Sequence, residues 1–140
     1  MPQLKHQVTE ELESLCRDTC SDFSAISLVQ EHETRIRWRY AYGNRNDRYK
    51  HMSLKPGVGP GGVALRTGKP ASWSDPLPTD CPLMTAEQLH AATAIPLVRG
   101  DQIYGVLLIA RRYSGKYGES ELTVMNRYMD RIQSILVGIS

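Results

Sequence analysis

The run Val106-Leu107-Leu108-Ile109-Ala110 is apolar at every position. Side chains alternate across a strand, so a strand made from this run presents carbon to both sides of its sheet and has to be covered on both. A chain that carries it folds in at least three layers, with this strand near the middle. Two segments are suited to be one cover. Leu4, Val8, Leu12 and Leu15 recur at helical spacing between glutamates, which predicts an amphipathic helix over residues 3–18. Leu122, Met125, Met129, Ile132, Leu136 and Ile139 advance by alternating steps of three and four, a heptad seam. The seam is short for a free coiled coil, so packing onto the sheet or the first helix is expected, with a homodimer helix bundle as the other use.

The segments between these helices read as strands and turns. "FSAISLVQ" predicts a strand, "EHET" a turn and "RIRWRYAY" the second arm of a hairpin. Alternation sets Arg35, Arg37 and Arg39 on one face of that arm and Ile36, Trp38, Tyr40 and Tyr42 on the other. "GNRNDR" reads as loop, "YKHMSL" as a third strand and "ASWS" as a short one; "DPLPTDCPLMTAEQ" reads as a proline-punctuated surface loop with a helical turn. "HAATAIPLV" and "QIYGVLLIARR" are joined by "RGD" at hairpin length, and Pro96 argues for an edge or a bulge in the first of them. The order predicts one α/β (α+β) domain over residues 1–140. Its antiparallel sheet has the terminal helices on one face and the covering loop on the other, with a pocket beneath the loop.

The second cover is "GVGPGGVALRTGKP". Four glycines in six positions are more than one tight turn uses, and they suggest positive φ angles or a close approach to the backbone. Val63 to Thr67 suits one or two helical turns, and Gly68 with Pro70 is a stop signal, so Gly61 and Gly62 are expected to open a helix. A helix start carries unpaired N–H groups and a partial positive charge, where a small anion or a carbonyl oxygen can sit.

Composition narrows the partners. With 17 Lys and Arg against 15 Asp and Glu, the net charge of +2 is too small to argue for nucleic acid. There is no zinc spacing, Walker loop, RNA-binding aromatic motif or long basic run. His51 and His90 have no companion at ligand spacing, so no metal is expected. No apolar run approaches the roughly 18 residues of a membrane span, and the polar start is unlike a signal peptide, which makes a cytoplasmic protein without membrane attachment the expectation. Three cysteines, Cys16, Cys20 and Cys81, do not form a disulfide framework.

With "GVGPGGVALRTGKP", "AIPL" and "GDQIYGVLLIARR" in this order, the chain resembles the GAF domain family over nearly its whole length. That resemblance implies a small-molecule sensing module of a signalling system. The stretch "IRWRYAYGNRNDRYKHMSLKPGVGPGGVALRTGKP" is similar to the single-domain nitrate receptors of the NreA type, which act with a sensor histidine kinase of a two-component system. The resemblance implies a nitrate site made by a strand tryptophan, backbone N–H groups after the second glycine and a backbone group of the "xPL" strand. Carried over, these are Trp38, Pro60, Gly61, Gly62 and Val63, and Thr93, Ala94 and Ile95. Pro60 has no N–H, so one donor of that pattern is missing, and the Thr93 hydroxyl is a candidate replacement. A binding protein, not an enzyme, and no cofactor beyond the anion are expected.

Two other functions compete. Some GAF proteins reduce free methionine sulfoxide through a cysteine in or beside the glycine loop; residues 57–62 hold none here, and Cys81 is the only loop thiol. The other is a ligand-free interaction or dimerisation module that works through the helix seam.

Overall fold

The computed structural model describes residues 2–29, 36–74, 81–113 and 115–137. Helix α1 (Pro2–Thr19) leads into strands β1 (Phe23–Val29) and β2 (Ile36–Tyr42), and a 3-10 turn (Arg48–His51) into β3 (Ser53–Leu54). Helix α2 (Gly59–Thr67), strand β4 (Ala71–Trp73) and helix α3 (Pro82–Ala86) follow, then β5 (Ala91–Arg99), β6 (Gln102–Arg111) and α4 (Glu119–Val137). The six strands form one antiparallel sheet in the order β3-β2-β1-β6-β5-β4. The expected turn at residues 31–34 and the loop segment 75–80 lie outside the described residues.

The apolar run of β6 sits between β1 and β5 and is buried throughout. Leu107 and Ile109 face the terminal helices, where they meet Val8, Leu12 and Leu15 of α1 and Met125, Tyr128 and Ile132 of α4. Val106, Leu108 and Ala110 face the other way, toward Tyr49, Leu54, Ala64, Leu83, Met84 and Leu89. The three-layer plan expected from the run is therefore present. Within the α4 seam, Met125 and Ile132 are fully buried, while Leu122, Met129 and Leu136 pack onto the same cluster. The seam is turned toward its own sheet and α1, and Ile139 lies outside the described residues.

Pro96 shows both features its chemistry calls for. It pairs with Val106 on β6, but β4 reaches only Ala92 to Ala94, so the outer side of β5 has no ladder at Pro96, and the strand bulges between Leu97 and Val98.

Two expectations are corrected. In β2 the pairing runs Ile26 with Tyr40 and Ser27 with Trp38, leaving Arg39 as an extra residue. This bulge reverses the alternation, so Trp38 packs on the α2 side and Tyr40 on the helix side instead of sharing a face. The expected strand at residues 49–54 is a strand only at Ser53–Leu54. Before it, Asn46 Oδ1 accepts a bond from the Arg48 N–H at 2.9 Å and starts the 3-10 turn, which lets both Tyr49 and Leu54 reach the core.

A buried ion pair joins the layers behind α3. The Glu87 side chain is fully buried, and its Oε1 accepts from Arg112 Nη2 at 2.7 Å and from the Arg45 N–H at 2.8 Å. Arg112 also donates to the carbonyls of Glu87 and Gly43, each at 2.9 Å, so one guanidinium ties the α3 exit to the turn after β2.

Candidate ligand-binding site

The glycine turn departs from expectation by two residues. Val58 is the N-cap and α2 begins at Gly59, with Pro60 in its first turn, where a missing N–H costs the helix nothing. Gly57 and Gly59 take positive φ, at 83° and 68°, and Gly68 closes the helix in the left-handed region at 71°, the stop read from the sequence. The turn is knotted to itself: the Gly57 N–H donates to Gly62 O at 2.7 Å, Val58 to Lys55 O at 3.1 Å and Gly62 to Val58 O at 3.1 Å. A Cβ on Gly62 would overlap the Lys55 carbonyl oxygen. At Gly61 a Cβ would come within 2.9 Å of Leu54 Cδ1 and 3.4 Å of the Trp38 ring, so glycine here lets the helix start press against the tryptophan.

That contact borders a cavity of about 290 Å³. Trp38 of β2, Leu54 and Lys55 around β3, Val58, Pro60 and Gly61 of the turn, and Leu108 of β6 form its floor and side. Cys81, Pro82, Leu83 and Met84 cover it, so the expected roof over the pocket is the start of α3.

The polar side chains among the described lining residues are Trp38, Ser53, Lys55 and Cys81. Among the described residues the Gly59 and Gly61 N–H groups have no hydrogen-bond partner, Pro60 has no N–H, and the Gly62 N–H is used within the turn. Trp38 is only 4% exposed, and its indole N–H has no hydrogen-bond partner among the described residues either. Lys55 stands exposed at the rim. Of the eight Lys and Arg in residues 36–69, Lys55 is the one among the described lining residues of this cavity. Gly61, Trp38 and Lys55 thus offer donors, and among the described residues the lining holds no acidic side chain.

Of the residues singled out in the sequence, the cavity wall brings together Trp38, Pro60 and Gly61. Gly62 and Val63 belong to the turn and helix behind it. Ala94 packs in the core on the cavity side, and Ile95 faces the terminal helices. Thr93 does not take the place of the lost Pro60 donor. It lies opposite Ser72 and Ile109, alternates with Ala92 and Ala94, and so points to the helix side, where its hydroxyl lies 2.8 Å from Ser72 Oγ. Sequence reasoning missed Met52, Leu83, Met84 and Leu108 as lining residues. Apolar residues of separate elements carry no local signal that they share a wall.

Each cysteine carries a thiol. Burial pushes the Cys16 thiol up to about 11, so it is a core group and not a nucleophile. Cys81 is different in place: its Sγ occupies the space a Cβ on Gly59 would need, against the first turn of α2. Among the described residues no cluster of His, Cys, Asp and Glu is arranged to hold a metal, and no helix is long and apolar enough to cross a membrane.

Solved structures with this arrangement include a Staphylococcus aureus NreA protein mutated in its nitrate-binding site. It is 31% identical, with a TM-score of 0.67, over 77% of this chain and 85% of that one. A hypothetical protein of S. aureus is 32% identical, with a TM-score of 0.67, over 76% and 94% of the two chains. The GAF domain of a phosphoenolpyruvate-protein phosphotransferase from Coxiella burnetii has a TM-score of 0.79 over 96% and 83%, but at 18% identity it speaks for the fold alone. No curated protein sequence matches the chain. The family model for the GAF domain matches residues 2–137, and with the sheet order, the glycine turn and the covered cavity in agreement, the chain belongs to the GAF domain family.

Proposed function

We propose that this small-ligand sensing GAF protein is a cytoplasmic receptor for a small anion, nitrate first, and that it reports occupancy to a sensor histidine kinase. The observation that carries the reading is the pairing of Gly61 with Trp38: a glycine with an unpartnered N–H at a helix start and a tryptophan with an unpartnered indole N–H line one cavity, with Lys55 at its rim. The likeness to an S. aureus protein described by its nitrate-binding site supports nitrate as the ion. The signal would run by linkage, each partner biasing the other's equilibrium. The Arg39 bulge suits this, because Trp38 lines the cavity and Tyr40, two residues on, packs against the helix side.

The test is thermal unfolding of the protein with nitrate, nitrite, chloride and iodide at matched ionic strength. Nitrate at a hundred times its Kd is expected to add about 2.7 kcal/mol, a rise of several degrees. Trp38→Phe keeps an aromatic wall and removes the N–H, so it should fold and lose about tenfold in affinity. Equal shifts with chloride, or an undiminished nitrate response in Trp38→Phe, would overturn the reading.

Cys81 gives a second reading its one specific support, since a thiol lies in the cavity wall beside Gly59. If the protein is a receptor, Cys81→Ser retains the nitrate response, and the unaltered protein with excess dithiol reduces no free methionine sulfoxide. Turnover that disappears in Cys81→Ser would make it a thiol reductase instead.

A further inference from the structure

The cavity is larger and more apolar than a four-atom anion requires. Its volume of about 290 Å³ is nearly twice the roughly 150 Å³ of an engineered apolar cavity that accepts benzene. The donors come from the glycine turn, β2, Ser53 and Lys55. The wall supplied by α3 and β6 is Leu83, Met84 and Leu108, which bring no polar side chain.

This division bears on the shape of the anion. Nitrate has three oxygens in a plane, and an oxygen turned toward Leu83, Met84 and Leu108 would give up water without gaining a hydrogen bond. A carboxylate keeps the trigonal plane and two oxygens and replaces the third with carbon. Methionines, with their flexible and polarisable side chains, adapt to such a body and make favourable contacts with aromatic rings.

We propose that the site takes a flat organic monocarboxylate of about the size of benzoate, its carboxylate on Gly61, Trp38 and Lys55 and its apolar body against Leu83, Met84 and Leu108. This rests on the reading that the glycine turn holds an anion, and it names the class of anion the whole cavity fits. Lys55 is exposed and serves as counter-charge at the rim, while the indole N–H of the buried Trp38 supplies a directed donor to the head group.

Calorimetric titration of the full chain with benzoate, nitrate and benzamide tests it. Each buried methylene-sized group adds about fourfold in affinity, so benzoate should bind about tenfold or more tightly than nitrate and compete with it. Benzamide, of the same shape without the charge, should bind about tenfold or more weakly than benzoate. Met84→Phe fills the apolar end and should weaken benzoate more than nitrate. Should that variant fail to fold, Lys55→Gln, at an exposed position, is expected to weaken benzoate severalfold and benzamide by less. Nitrate binding without benzoate binding, or benzamide equal to benzoate, would overturn the inference and leave the anion site standing. Binding by neither anion would overturn the anion reading as well.

Discussion

Replacing Arg112 with methionine is expected to destabilise the protein by about 3–5 kcal/mol, because it leaves the fully buried Glu87 carboxylate without its countercharge. Against the 5–15 kcal/mol that hold an ordinary domain together, this is a large share. The guanidinium also satisfies the Glu87 and Gly43 carbonyls, so the loss includes their hydrogen bonds. Glu87 keeps only the Arg45 N–H as a partner for Oε1, and Oε2 has none among the described residues. Urea unfolding at neutral pH reads the effect directly as a lower midpoint with an unchanged slope. The double variant Arg112→Met with Glu87→Gln separates charge from packing. A neutral amide in place of the carboxylate should recover a substantial part of the deficit, since the cost of an unpaired buried charge is then removed. A double variant as unstable as the single one would show that the loss is in carbonyl bonds and packing, and that the ion pair matters little.

The second large effect is expected at Gly62→Ala, in the turn that shapes the site. An alanine Cβ there would overlap Lys55 O and approach the Gly57 N at 3.2 Å, and both are backbone atoms that cannot swing aside. The bonds from Gly57 to Gly62 O and from Val58 to Lys55 O hold those atoms in place, so the turn must open to admit a methyl group. The expected result is a loss of about 1–3 kcal/mol in stability, the usual cost of overpacking, with the anion-dependent rise in unfolding temperature abolished because Gly61 and Lys55 shift together. Gly61→Ala is the contrast. Its nearest neighbour is the flexible end of Leu54, so it should cost less stability, yet it narrows the cavity directly at Trp38. Equal binding by Gly62→Ala and the unaltered protein would mean that the turn does not hold the anion.

Much of the fold was legible because its signals are local. The five apolar residues of β6 required cover on both faces, the spacing of Leu4 to Leu15 and of Leu122 to Leu136 defined the helices that supply one cover, and Gly68 ended α2 where expected. Part of the site was legible in the same way. Four glycines and a proline announce a special backbone, while the strand tryptophan is pointed out by the family resemblance and not by a local signal; Trp38, Pro60 and Gly61 stand in the cavity lining.

By itself the sequence determined the layers, the helix seam and the glycine turn, since hydrophobic periodicity and backbone permissiveness depend on residues a few positions apart. Tertiary structure alone decided the faces. One extra residue, Arg39, opposite β1 parts Trp38 from Tyr40, and the register of β4 on β5 turns Thr93 toward Ser72 and away from the cavity. It likewise decided that Glu87 and Arg112 would meet, 25 residues apart, and that Met84 and Leu108 would share a wall. Pairing register and the meeting of distant segments depend on which strand lies beside which, and a period of two gives no warning of where a bulge reverses it.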